Sequence, residues 1–204
     1  MTQGPRVAGL ILAAGESSRM GRDKALLPYR GRTFLETIIA SLNAGGVKRV
    51  LAVLGHHAEN IEGAVNLAGV EVVVNRDYRR GQTSSLQAGL AALEKTAAQG
   101  SEPLEAIVLC LVDHPAFEPT VVSALVATFE RTGAPVVIPT LGGRRGHPVL
   151  VARSLFVPLL ALGEGTGANT VIRACGDRTE LVEVRDPGIL IDVDDPDAYR
   201  QLTA

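Results

Sequence analysis

The chain has 204 residues, enough for one well-buried domain, with 46% hydrophobic and 21% charged residues. That composition is too apolar for a disordered chain, and a formal net charge of -2 gives no electrostatic basis for binding a polyanionic polymer, so nucleic acid is not expected as a partner. No apolar run is long enough to span a bilayer, and the short one over residues 7–14 leads into a structured loop rather than a cleavage site. Cys110 and Cys175 have no metal-ligand spacing and are expected to be inert thiols of a reducing, cytoplasmic compartment.

The first apolar run stops at Ala14-Gly15 and opens a polar loop containing Ser17, Ser18, Arg19 and Gly21, which delivers Lys24. Such a loop suits a polyphosphate, because glycine lets backbone N–H groups approach an anion while Arg19 and Lys24 supply fork and point-charge partners for phosphate oxygens. It is not a Walker loop, since Lys24 is preceded by Asp23 and followed by Ala25. Nor is it the dinucleotide fingerprint, because only Gly15 and Gly21 stand where three glycines at fixed offsets are needed, which also argues against a nicotinamide-dependent dehydrogenase. The plainer alternative is a surface loop whose glycines only turn the chain.

Thr33-Phe34-Leu35-Glu36 forms a capping box, and Phe34, Leu35, Ile38, Ile39 and Leu42 then recur at helical spacing up to a left-handed stop at Gly45-Gly46. Residues 50–54 and 70–74 read as strands around a weak helix carrying Ile61 and Val65, and residues 75–83 as a polar loop. Ser84, with Gln87 three later, is expected to cap a helix with Leu86, Leu90 and Leu93 inward. Residues 106–112 form the most apolar strand and end abruptly at Asp113-His114-Pro115. Glu118-Pro119 opens a helix that Gly133 stops, and strands at 134–139 and 147–151 are joined by a Gly-rich turn that allows antiparallel pairing. A helix over 154–162, a glycine loop over 163–169, short strands at 181–184 and 189–193, and a last helix capped by Asp195 complete the reading. Continuous apolar strands alternating with amphipathic helices predict a single α/β domain over 1–204, with a mainly parallel sheet covered on both faces. In such sheets ligands bind at the carboxyl ends of strands, which brings the 15–24, 75–85 and 113–114 clusters to one edge.

Asp113, after seven uncharged residues at a strand end, is placed either to hold a hard cation such as Mg2+ or to cap the following turn. Asp192, Asp194 and Asp195 form a second carboxylate group, of which Asp195 is needed as a helix cap. His56 and His57, being adjacent, are expected to point apart, and the four histidines predict no transition-metal site. The Ser84-Ser85 pair is read as a cap rather than a nucleophile, and no Gly-x-Ser-x-Gly elbow is present.

Taken together, residues 12–28, reading LAAGESSRMGRDKALLP, resemble the signature loop of the MobA-like nucleotidyltransferases that act on the molybdenum cofactor and of their sugar-phosphate relatives. The 81–86, 113–115, 145–149 and 192–196 segments follow in the family's order. The resemblance implies a Rossmann-like three-layer nucleotidyltransferase fold with a mixed, mainly parallel sheet. It also implies Mg2+-dependent transfer of a nucleoside monophosphate from a nucleoside triphosphate to a phosphorylated small-molecule acceptor, with release of pyrophosphate. By that likeness Arg19 and Lys24 would sit on triphosphate oxygens within a nucleotide site formed by Leu12, Ala13, Ala14, Gly15, Gly21, Asn75, Gly81, Ser84 and Ser85. Asp113 and Asp194 would then hold the metal, with Asp192 the alternative to Asp194. Ala13-Ala14 is similar to the cytidylyl branch, where the guanylyl branch carries glycines, so CTP and a molybdopterin-type acceptor are expected, with a sugar-1-phosphate acceptor or a non-catalytic nucleotide-binding regulator as alternatives. This chain departs from that branch at His114, where an amide or methionine is frequent, and at Asn169, which replaces the arginine of a Gly-Asp-x-Gly-Ala-Arg turn.

Overall fold

A computed structural model describes residues 6–98 and 104–204. Its elements run β1 (Val7–Ala13), a small β2 (Pro28–Tyr29) and β3 (Arg32–Thr33) hairpin, α1 (Phe34–Ala44), β4 (Arg49–Leu54), α2 (Ala58–Ala64), β5 (Val70–Val74) and α3 (Gln82–Ala98). They continue through β6 (Ala106–Leu111), α4 (Pro119–Thr132), β7 (Val136–Leu141), β8 (Arg144–Arg145), β9 (Val149–Ala152), α5 (Phe156–Leu160), α6 (Asn169–Ala174), β10 (Thr179–Glu183) and α7 (Pro196–Thr203). The 8-stranded sheet has the order β10-β7-β9-β6-β1-β4-β5, with β8 paired on β7. β1 is parallel to both β4 and β6, β4 to β5, and β10 to β7, whereas β9 runs antiparallel to β6 and β7. The expected mixed, mainly parallel sheet of a Rossmann-like fold is therefore present.

Strands such as VAGLILA lack a polar face because both of their faces are covered. Ile11, Val50, Ala52, Val108 and Val137 face α1, α2 and α4 on one side, while Leu10, Leu12, Val53, Ile107 and Ile138 face α3 and α5 on the other. A third, smaller cluster of Met20, Leu27, Tyr29, Phe34, Ala116 and Val193 lies under α7. The chain leaves β1 towards β4 and β5, then crosses back through α3 to β6 on the opposite side of β1. The carboxyl ends of β1 and β6 thus flank a topological switch point, where sheets of this kind open a crevice.

Local signals account for most boundaries. The capping box at Thr33 is complete, Gly133 takes a left-handed φ of 63° after α4, and Asp195 caps α7 by accepting from the Asp197 and Ala198 N–H groups. Gly46 supplies the left-handed turn after α1 at φ 98°, whereas Gly45 is there for room: a Cβ on it would lie 2.5 Å from Cβ of Val122 in α4.

Two expectations are corrected. α3 begins at Gln82, so Ser84 is inside the helix rather than its cap; its hydroxyl donates to the Asp77 and Gly81 carbonyls. The Gln87 amide donates instead to the carbonyls of Leu159, Leu160 and Leu162 at the end of α5, a tertiary demand that outweighed the local capping pattern. Residues 189–193 form no strand: Pro187–Leu190 is a 3-10 turn, held by the His147 N–H donating to the Ile189 carbonyl and by Asp186 capping Gly188. Ile189 and Val193 are apolar because they plug two separate core clusters, not because they line a sheet.

Glu36 does more than close its capping box. One of its carboxylate oxygens accepts from the Thr33 N–H and the other from the Asn66 N–H, tying α1 to the turn after α2. The Thr33 N–H, then that of Asn66, holds the Glu36 carboxyl below its ordinary 4.5. A carboxylate with a folded-state pKa below its unfolded value contributes stability above that unfolded value and loses it as pH falls. Glu36→Gln is therefore expected to cost about 1 kcal/mol at pH 7 and to make the loss of stability below pH ~4.5 shallower, measured by urea unfolding across pH.

Candidate active site

Just beyond β1, the Ala14 carbonyl accepts from the His56 N–H after β4, and the Leu12 carbonyl from the Val112 N–H after β6. These bonds fix the backbone from 12 to 15 as the floor of a cleft of about 310 Å³. Leu12, Ala13, Ala14, Gly15, Arg19, Lys24, Gly81, Ser85, Asp113 and Asp194 all line it, so ten of the residues marked by the sequence converge from four distant segments.

The loop after β1 is shaped by Ser17, which adopts φ 51° so that its carbonyl accepts from both the Met20 and Gly21 N–H groups. Its hydroxyl accepts from the Lys24 N–H at 3.1 Å, and Gly21 (φ 70°) reverses the chain. Lys24, only 8% exposed, is delivered into the cleft at the start of a 3-10 turn. Its Nζ lies 2.8 Å from Asp194 Oδ1 and 3.3 Å from Asp113 Oδ2, and Arg19 Nη1 lies 2.8 Å from Asp194 Oδ2. The Lys24 hydrogen bond, with Arg19 adding to it, holds the Asp194 carboxyl below the usual carboxylate range. Asp192, by contrast, is pushed upward, first by burial and then by the neighbouring Asp113 charge. Val193, buried under α7, donates its N–H to the Asp113 carbonyl at 2.9 Å and so sets both flanking aspartates beside the end of β6.

On the opposite wall, Asn75 is buried and does not reach the cleft. Its amide donates to the Ser84 and Ser85 hydroxyls and its carbonyl accepts from the Asp77 N–H, bracing the turn that presents Tyr78 and Gly81. Gly81 has φ 98° and ψ 176°, a conformation open only to glycine, and leads directly into the amino terminus of α3 at the cleft wall. An Arg79–Glu16 ion pair of 2.9 Å joins this wall to the first loop. Gly21 and Ser84 also lie outside the lining and act on the loops' shape.

Sequence reasoning missed Asp23, Ile61, Tyr78 and Gln82, all of which line the cleft. Asp23, Tyr78 and Gln82 lay inside the 15–24 and 75–85 clusters without being singled out as site residues, and Ile61 carries no local mark of a ligand site. The histidine expectation is corrected: the left-handed φ of 52° at His57 stacks its ring 3.7 Å from that of His56, with His57 Nδ1 3.2 Å from Asp23. His114 and His147 also stack, at 4.6 Å. Among the described residues no helix is long and apolar enough to cross a membrane.

A glycine-turned loop, a buried lysine and paired acids at the switch point of a parallel sheet are the layout of a nucleotide-phosphate site. Residues 9–181 match the MobA-like NTP transferase domain, and the chain belongs to that family. It is 33% identical over 202 residues to nicotine blue oxidoreductase of Paenarthrobacter nicotinovorans, covering 93% of each chain. To the molybdenum cofactor cytidylyltransferase of Escherichia coli K12 it is 25% identical over 191 residues, covering 93% of this chain and 92% of the relative. The crystal structure of Rv0371c from Mycobacterium tuberculosis H37Rv superposes with a TM-score of 0.80 at 29% identity, covering 98% of both chains. A second structure of Rv0371c, a complex with manganese, gives 0.75 at 28% identity over 97% of each.

Lys24 is the only cation within ion-pairing reach of Asp113 among the described residues. Lys24→Met leaves three aspartates facing one another, and because the site is partly open the cost is expected to be about 1–3 kcal/mol, less than for a fully buried pair. That corresponds to a fall in Tm of roughly 5 °C for a chain of this size, largely recovered by millimolar Mg2+ or Mn2+ in a thermal melt.

Proposed function

We propose that the protein transfers CMP from CTP to a phosphorylated small-molecule acceptor of molybdopterin type, releasing pyrophosphate. The observation that carries this is Lys24 lying between Asp113 and Asp194 beside the glycine-turned loop. Arg19 and Lys24 exchange their aspartate partners for triphosphate oxygens, which frees the Asp194 carboxylate. Asp113 and Asp194 would hold Mg2+, and the fit is supported by Asp113 Oδ1, which is buried without a hydrogen-bond partner, and by an all-oxygen donor set. When bound, the cation offsets negative charge on the phosphates.

The reaction needs little from the protein beyond position and charge. An anionic oxygen of the acceptor phosphate attacks the α-phosphorus in line; the new P–O bond forms as the bond to the bridging oxygen breaks, and pyrophosphate leaves with the electron pair. Lys24 and Arg19 neutralise charge building on those oxygens. No general base is required, because the acceptor oxygen is already ionised at neutral pH. A pyrimidine is supported by Ala13-Ala14 on the cleft floor, which is similar to the cytidylyl branch where the guanylyl branch carries glycines.

With CTP, Mg2+ and a panel of molybdopterin and sugar-1-phosphate acceptors, pyrophosphate release is expected to fall at least about a hundredfold in Lys24→Ala and in Asp113→Ala. Wild-type turnover in either variant overturns the reading. A guanosine adduct by mass spectrometry overturns the base assignment alone, and calorimetric binding of CTP without any product points to a regulator.

The 33% identity to an oxidoreductase supports a second reading, in which the same cleft holds the pyrophosphate of a nicotinamide dinucleotide and the reaction is a reduction. The missing glycine fingerprint weighs against it. Loss of nicotinamide absorbance from NADH or NADPH in the presence of nicotine blue, with no pyrophosphate from any triphosphate, would establish it in place of transfer.

A further inference from the structure

At the end of β6, one carboxylate oxygen of Asp113, one ring nitrogen of His114 and one carboxylate oxygen of Asp192 lie within 4.8 Å of one another. Three facts say that this group lacks a partner. Asp113 Oδ1 and His114 Nδ1 are both buried with no hydrogen bond, an arrangement that costs free energy unless something accepts their lone pairs. Asp192 makes no ion pair among the described residues, so two carboxylates approach each other with only Lys24 nearby, and Lys24 is already shared with Asp194. Finally, the group contains an imidazole. A hard-cation site is built from oxygens, whereas two carboxylates with one histidine suit Mn2+, Fe2+, Co2+ or Zn2+.

We infer that Asp113, His114 and Asp192 form a transition-metal site beside the nucleotide cleft, distinct in ligand set from the Asp113–Asp194 pair and sharing Asp113 with it. Val193 fixes the spacing, since its N–H bond to the Asp113 carbonyl holds Asp192 on the His114 side while Asp194 meets Lys24. Asp192 is exposed and Asp113 lines the cleft, so the three protein ligands leave coordination positions open to solvent and to an anionic oxygen of the acceptor. The binding of metal stands on this geometry alone; the role towards the acceptor rests on the transferase reading.

The test uses the full chain, stripped by chelator and titrated with Co2+ alone by calorimetry and visible absorption. One Co2+ is expected to bind without nucleotide, about 10–100-fold more weakly in His114→Gln and in Asp192→Asn, and within about threefold of wild type in Asp194→Asn. The neighbouring Asp23, His56 and His57 group also brings three donor atoms within 4.8 Å, so the titrations are run on His56→Ala/His57→Ala protein. Should His114→Gln fail to fold, pulsed electron paramagnetic resonance of the His56→Ala/His57→Ala protein, with His114 intact and loaded with Mn2+, reads the same point, since nitrogen coupling requires an imidazole ligand. Co2+ binding that ignores His114 and Asp192, or Mn2+ without nitrogen coupling, overturns the inference even where pyrophosphate is released. Co2+ binding as described, with no pyrophosphate from any triphosphate, upholds the site and removes the transferase reading instead.

Discussion

One ammonium group organises this structure. Lys24 is nearly buried, yet it touches carboxylates 89 and 170 residues further along the chain. A cation in that position is tolerable only if counter-charges are brought to it, and the counter-charges are tolerable only because it is there. The first loop, the end of β6 and the segment before α7 are thereby held in one place. Arg19, on the same loop but far more exposed, adds its fork to Asp194 without carrying the same cost of burial.

The sheet makes this possible at little expense to its own hydrogen bonding. β1 sits in the middle, bonded on both sides, so the loop that follows it departs from a strand that is held by both neighbours. Its parallel neighbours end at the same edge, and each contributes a polar turn only after its apolar run is finished. The antiparallel β9 breaks the parallel order on the far side of β6, and its approach through Gly146 and His147 draws the 187–190 turn against the core. A Cβ on Gly146 would meet the Ile189 carbonyl oxygen at 2.5 Å. The path of the chain towards Asp192 and Asp194 thus depends on a glycine more than forty residues earlier.

Much of this was readable in the sequence, for identifiable reasons. Capping chemistry is local, so Thr33, Gly133 and Asp195 announced their helices without tertiary information. Both faces of the sheet are covered, so the strands appeared as unbroken apolar runs, and the polar residues that end them appeared as abrupt changes. What failed was non-local. Gln87 matched a capping pattern but was needed by three carbonyls more than seventy residues away. Ile189 and Val193 looked like a strand because burial alone sets their type. His57 escaped a rule about adjacent side chains by adopting a left-handed backbone, and Ile61 reaches the cleft from a helix whose sequence marks only packing.

The span between Lys24 and Asp194 also bears on how the protein comes into being. Contacts between residues so far apart close late, because the intervening loop entropy must be overcome first. On the ribosome, the amino-terminal loop emerges long before its acidic counterpart has been synthesised. A cleft whose electrostatic balance is completed by Asp194 cannot be assembled from a chain that stops short of it, so an interrupted translation product leaves the cationic loop without the carboxylate that balances Lys24.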